Sequence, residues 1–225
     1  MTEEFLERLR PLKQRHGTLS PARSSAGWRL FFSQSLRSPA VTAAIVPSSR
    51  FLAAALLRSI DFSRTRTVLE LGSGTGAITS EILHRMGGNS TLYAVDVNPA
   101  FISHVHRRLR DRRVVPILGS AENLDAILRR RGVTGVDAIV SSLGLSTMDE
   151  GLRNRILTLA ARYLGSQGVM SQFQYLHANS AAKLASRFGL TPFCEERLLR
   201  SYFNRVSRER VFLNVPPAVV FTCQP

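Results

Sequence analysis

The stretch VLELGSGTGAIT, Val68 to Thr79, sets a short apolar run against three glycines, Gly72, Gly74 and Gly76, and then a helix-like pattern. An apolar run that stops at glycine reads as a buried strand followed by a tight turn. Glycines at such a junction let the backbone pass close to a ligand, and in open α/β sheets nucleotide-like ligands sit where a strand hands over to its helix. Working outward, apolar runs and helical periodicity alternate. Strands are expected at 67–71, 91–96, 114–118, 136–141 and 168–174, with helices near 49–59, 76–86, 99–110, 121–131, 150–164 and 178–188. Alternation of this kind implies a parallel sheet with right-handed crossovers. The tail, RLLRSYFNRV followed by PPAVVFTCQ, reads as two more strands completing the sheet edge antiparallel. The expected class is α/β: a Rossmann-like, mostly parallel seven-stranded sheet with helices on both faces.

The chain of 225 residues is long enough for one real core. Residues 1–38 differ from the rest, being charged and serine-rich and punctuated by Pro11, Pro21 and Pro39, so they read as an N-terminal arm before a domain at 39–225. In that arm Trp28, Phe31, Phe32 and Leu36 fall on one side of a helix while Arg29, Ser33, Gln34 and Arg37 take other directions, an amphipathic helix with an aromatic edge. The net charge is +14, from 30 Lys plus Arg against 16 Asp plus Glu. Such a field suits a polyanionic surface, either nucleic acid or an anionic bilayer. Cys194 and Cys223 lack the spacing of a zinc site or a disulfide framework, so free thiols in a reducing cytosol and no bound metal are expected. The start MTEEFLERLR has no signal-peptide core, and the apolar stretch at 41–60 is broken by Pro47, Arg50 and Arg58, so no membrane span is expected.

The second strand ends in Asp96, 20 residues beyond Gly76. A carboxylate at that place can accept both ribose hydroxyls of a nucleoside. The glycine spacing is Gly-x-Gly-x-Gly, without the extra residue of the dinucleotide pattern, and an acid, Glu70, precedes it.

An acid at the end of the first strand followed by LGSGTG resembles motif I of the class I S-adenosylmethionine-dependent methyltransferases. The resemblance implies S-adenosylmethionine as cofactor and S-adenosylhomocysteine as product. It implies that Gly72, Ser73, Gly74 and Gly76 line the methionyl and adenosyl portions, that Glu70 holds the ammonium side through water, and that Asp96, with Val97 beside it, holds the ribose. GSAENL would lie beside the adenine. Many members have Asp where this chain has Ser120, which leaves Glu122 or the Ala121 amide for the adenine amine. The fourth strand would bring Ser141, Ser142 and the rest of SSLGLSTM to the transferred methyl.

Methyltransferases acting on exocyclic amines of nucleic acid carry Asn or Asp, Pro-Pro and an aromatic residue after the fourth strand. This chain has Ser141-Ser142-Leu143-Gly144, and its NVPP string, Asn214 to Pro217, reads as a turn before the last strand. PSSR, then motif I, then SSLGL, then QFQY, and finally NVPPAVVF together resemble the bacterial phospholipid N-methyltransferases, which methylate phosphatidylethanolamine stepwise towards phosphatidylcholine. The likeness runs from about Ser38 to Phe221. Two departures concern the head group: Leu143-Gly144 stands where Gly-Leu-Pro is frequent, and Leu176-His177 where Gly-Pro follows the tyrosine.

The resemblance implies a phospholipid substrate and a cytoplasmic enzyme held peripherally on the inner face of the membrane. Trp28, Phe31 and Phe32 would anchor it, Arg29 and Arg37 would meet lipid phosphates, and Ser48, Ser49 and Arg50, which also cap a helix, would hold the lipid phosphate. Tyr175 would orient the amine and face the growing cation, with Ser141 and Ser142 as further acceptors and His177 as a relay or a structural residue. Two other readings stay open. One is an rRNA adenine N6-dimethyltransferase, a family that LELGSGTGAIT also resembles; the other is a cofactor-binding protein without the chemistry.

Overall fold

The computed structural model describes residues 50–176 and 194–225. The expectations placed on Trp28, Arg29, Phe31, Phe32, Arg37, Ser48, Ser49, His177 and the helix at 178–188 lie outside the described residues. In chain order the strands are β1 (Thr67–Leu71), β2 (Thr91–Asp96), β3 (Val114–Leu118), β4 (Val136–Ser141), β5 (Leu164–Tyr175), β6 (Arg205–Val211) and β7 (Ala218–Gln224). They form one sheet in the order β3-β2-β1-β4-β5-β7-β6. β1 to β5 pair in parallel, and β7 runs antiparallel between β5 and β6. The α/β class and the antiparallel edge match the expectation.

The described helices are α1 (Arg50–Leu57), α2 (Ala77–Arg85), α3 (Pro99–Leu109), α4 (Leu124–Arg129), α5 (Glu150–Tyr163) and α6 (Glu195–Arg200). α1 and α2 pack with Val68, Leu92, Ala138, Val140, Val211, Ala218 and Val220 into one core, against which Leu109 of α3 also rests. Strands covered on both faces lose the polar alternation, which is why β1 is buried from Val68 to Leu71. Helix starts follow from local chemistry. Asn98 Oδ1 accepts from the Ala100 amide at 2.9 Å with Pro99 next in line, and Asp149 Oδ1 accepts from the Leu152 amide at 2.8 Å.

Three boundaries differ from the sequence reading. RLLRSYFNRV is not one strand: α6 occupies its first part, and β6 begins at Arg205. Glu195 and Glu196 in the first turn and an Arg200–Glu196 pair at 3.0 Å favour the helix, and Leu199 is fully buried beneath it. β5 starts at Leu164 rather than 168, because the glycines of GSQG permit the strand to continue through a register shift against β4. A Cβ at Gly168 would stand 2.6 Å from Leu164 Cδ1 and 2.8 Å from the Gly165 carbonyl, so the close approach requires glycine. The helix expected at 121–131 is a 3-10 turn, Ala121–Asn123, running into the shorter α4.

Candidate active site

The carboxyl ends of β1, β2 and β4 finish level with one another, Leu71 opposite both Val95 and Ser141. Backbone bonds lace the segments that leave them: Gly72 N donates to Val95 O at 2.8 Å, Ser142 N to Leu71 O at 2.9 Å, and Gly119 N to Asp96 O at 2.9 Å. The sequence-predicted residues Glu70, Gly72, Ser73, Gly74, Gly76, Asp96, Val97, Ser141 and Ser142 are thereby brought to one edge of the sheet. Ala121 and Glu122 follow β3 on the same edge, and Ser120 caps their turn by accepting from the Glu122 amide at 3.4 Å. Tyr175 ends β5, three residues past the Gln172 that pairs with Ser141. Its ring meets Phe173 edge-on at 5.2 Å. Arg50 lies in the first turn of α1 with its guanidinium 4.9 Å from the Phe51 ring centre.

The glycine turn is left-handed at three positions, with φ of 82° at Gly72, 51° at Gly74 and 80° at Gly76. Two of them divide the labour. A Cβ at Gly76 would press on Val105 at 3.1 Å, whereas one at Gly74 would meet nothing within 4 Å. Gly76 therefore serves helix packing, and Gly74 leaves room above the turn.

Asp96 is buried, and both of its oxygens accept backbone amides: Oδ2 from Gly74 at 2.8 Å and Oδ1 from Asn98 at 2.9 Å. Burial pushes its carboxyl upward, against the pull of these amides and of Val97. Glu70 is fully buried, with Oε2 accepting from Thr79 Oγ1 of α2 at 2.7 Å. Desolvation, relieved in part by Thr79 and increased by the neighbouring Asp96, raises it to about 8.

Glu70 Oε1, Ser73 Oγ and Ser142 Oγ are buried without a hydrogen-bond partner among the described residues. Each unmet group costs about 1–3 kcal/mol. A polar ligand seated on the glycine turn would repay part of that, so the donors and acceptors present fit a cofactor with ammonium, carboxylate and ribose groups.

A second polar cluster lies beneath the segment after β4, and the sequence reading did not single out its members. Gln172 Nε2 donates to Leu143 O at 2.8 Å, and Arg153 Nη1 of α5 donates to Met148 O at 3.1 Å and Leu145 O at 3.4 Å. Glu195 of α6 faces both, 3% exposed, and desolvation raises its carboxyl to about 8 despite the Gln172 hydrogen bond and the Arg153 charge. The buried Cys223 thiol is pushed up to about 12 by burial and by Glu195, with Arg200 pulling the other way. These groups fix the path of Ser142 to Met148. One sequence signal was available: period-two counting turns Gln172 inward on a strand whose neighbours are apolar.

Residues 68–168, from β1 into β5, match the family model described as a methyltransferase domain. The sheet order is that of the Rossmann-like methyltransferase fold, and with the matched domain it supports S-adenosylmethionine-dependent methyl transfer. The chain is similar to the ornithine lipid N-methyltransferase of Singulisphaera acidiphila, 25% identical over 196 residues that cover 87% of this chain and 94% of the relative. Two solved structures share the fold. One is Burkholderia thailandensis 1,6-didemethyltoxoflavin-N1-methyltransferase with bound S-adenosylhomocysteine, at TM-score 0.59, 18% identity and coverage of 93% of this chain and 92% of that one. The other is the N-methyltransferase NodS of Bradyrhizobium japonicum in complex with S-adenosylhomocysteine, at TM-score 0.60, 15% identity and coverage of 86% and 96%. Among the described residues no helix is long and apolar enough to cross a membrane.

Proposed function

We infer that the protein transfers methyl groups to the amine of phosphatidylethanolamine, or of its partly methylated forms, at a membrane surface. One observation supports the lipid-amine part of this reading, and the head group is carried over from the sequence resemblance. The likeness to a lipid N-methyltransferase extends over 87% of the chain, well beyond the matched methyltransferase domain. The segment after β4 agrees with it, since Ser141-Ser142-Leu143-Gly144 offers small hydroxyls and carbonyls and no aromatic grip for a base.

The cofactor, when bound, supplies an electrophilic methyl on a sulfonium. The chain's work is to bind, align and dehydrate. Gly72 to Gly74 would admit the ligand against bare backbone, Asp96 would accept its ribose hydroxyls with the lone pairs its two amide partners leave, and Glu70 would face its ammonium side. Val97, Ala121 and Glu122 would border the adenine. A lipid ammonium has to give one proton to solvent water before its nitrogen attacks the methyl, and the groups around it then accept hydrogen bonds from the N–H bonds that remain. Burial raises the Tyr175 phenol above its ordinary value, so at neutral pH it is uncharged, and its oxygen can accept from the amine and orient the lone pair. Ser141 and Ser142 would take the remaining amine hydrogens. Arg50, at the head of α1, would meet the lipid phosphate.

The activity for which the relative is named favours a second head group, the amine of an ornithine lipid. Incubation with labelled S-adenosylmethionine and vesicles containing phosphatidylethanolamine, an ornithine lipid, or neither, beside a ribosomal RNA sample, separates the readings. Label in phosphatidylethanolamine is expected. Label confined to the ornithine lipid transfers the proposal to that head group, and label in RNA overturns it.

A further inference from the structure

Among the described residues the large hydrophobic side chains left in water are Phe51 at 40%, Phe212 at 66%, Leu213 at 69% and Val215 at 77% exposure. Single exposed apolar residues need no explanation. Three of these four stand together at one end of the sheet. They form the turn between β6 and β7, which closes at the Val211–Ala218 pair, and Ala218 also pairs with Tyr175 at the end of β5. Leu176 N donates to Pro217 O at 2.8 Å, tying the turn to that same end. The helix α1 reaches Glu209 through Arg58 at 2.7 Å and is followed by Ser59, 3.2 Å from Thr222.

The turn is built rather than loose. Asn214 is 3% exposed and donates through Nδ2 to Pro216 O at 2.7 Å, so it points inward while Phe212, Leu213 and Val215 point out. Exposed Arg208 and Arg210 lie on the strand that leads into the apolar tip, in a chain of net charge +14. An apolar wedge rimmed by guanidinium groups is complementary to an anionic phospholipid surface, with the apolar part at the acyl boundary and the arginines at the phosphates.

We propose that the β6–β7 turn is a membrane-inserting tip, Phe212, Leu213 and Val215 entering an anionic phospholipid bilayer so that the cofactor end of the sheet faces the lipid. This rests on the lipid reading above, and the test separates the two. The full chain has one tryptophan, Trp28, so a Trp28→Phe, Phe212→Trp variant reports from the tip alone. The probe is vesicles of phosphatidylglycerol and phosphatidylethanolamine, with and without brominated acyl chains. The tip tryptophan is expected to be quenched by acrylamide in solution, and to shift to the blue and be quenched by bromine on vesicles. A Phe212→Ser, Leu213→Ser, Val215→Ser variant is expected to lose at least ~100-fold in vesicle affinity, because insertion of any two of these side chains already supplies that much. Its S-adenosylhomocysteine affinity checks the fold.

Shielding from acrylamide before vesicles are added would overturn the proposal, assigning the tip to the chain's own N-terminal segment if independent of concentration and to a second copy if not. Vesicle binding with the tryptophan still in water would overturn it as well. Label in lipid together with a water-exposed tip sinks this inference and leaves the lipid reading; an inserted tip with no label in any lipid does the reverse.

Discussion

Glu195→Gln replaces a buried carboxyl by a neutral group of the same shape, and its effect follows from the environment of α6. The carboxyl is 3% exposed, and burial raises it from 4.5 to about 8. Between those values the native state holds a proton that the unfolded chain has already lost. The stabilisation is therefore complete below the unfolded value of about 4.5 and is lost as pH rises towards about 8. One proton contributes ~1.4 kcal/mol per pH unit, so the whole interval amounts to about 5 kcal/mol. Glu70 contributes a term of the same sign in both proteins and cancels in the difference. Urea unfolding of wild type and variant at several pH values between roughly 5 and 8, without cofactor, reads it out. The variant should gain on the wild type by ~1.4 kcal/mol for each pH unit across that range. Parallel curves would refute the reasoning, because they would mean that Glu195 is ionised in the native protein and that the cluster under Leu143 is held by a charge pair with Arg153.

Asp96→Ala should lower S-adenosylhomocysteine affinity at least ~100-fold by calorimetry, since it removes a buried, directed carboxylate and releases the Gly74 and Asn98 amides. Gly74→Ala and Gly76→Ala should separate binding from folding. The first meets no atom within 4 Å, so it should unfold within about 1–2 kcal/mol of wild type while losing cofactor affinity; the second also strikes Val105 at 3.1 Å and should lose more stability than the first. Glu70, protonated below about 8 when alone, should release up to one proton near neutral pH as a cationic ligand approaches, seen as a buffer-dependent binding heat that disappears in Glu70→Gln. Tyr175→Phe keeps the edge contact with Phe173 and removes only the hydroxyl, so kcat on a lipid amine should fall roughly 10- to 100-fold with cofactor affinity unchanged.

How much of this was legible without coordinates depends on whether the signal was local. The glycine turn and the strands around it could be read because β1, β2 and β4 are largely buried, so each shows as an apolar run bounded by a turn or a cap, and the half-buried edge strand β3 keeps an apolar run as well. Asp96 was legible by its distance from Gly76, a spacing fixed by one helix and one strand. The tail failed for the opposite reason. α6 is six residues long, too short to show a helical period, and its leucines followed by Tyr202 and Phe203 imitate a strand.

Glu195 was invisible for a further reason. In CEERLLR it looks like a solvent-facing charge, as its neighbour Glu196 is, pairing with Arg200 and Arg208. Only the tertiary placement of α6 buries it against Gln172 of β5 and Arg153 of α5, whose separations of 23 and 42 residues leave no trace in local pattern. The site thus combines two kinds of information. The proposed cofactor edge is written in the glycine turn and in Asp96 at a fixed spacing from it, whereas the support for Ser142 to Met148, the segment proposed to face the acceptor, is assembled from three distant elements. Chains that share the first and differ in the second would keep the cofactor and change what they methylate. Exchanging Gln172, Arg153 and Glu195 together should therefore move acceptor preference while cofactor affinity stays constant.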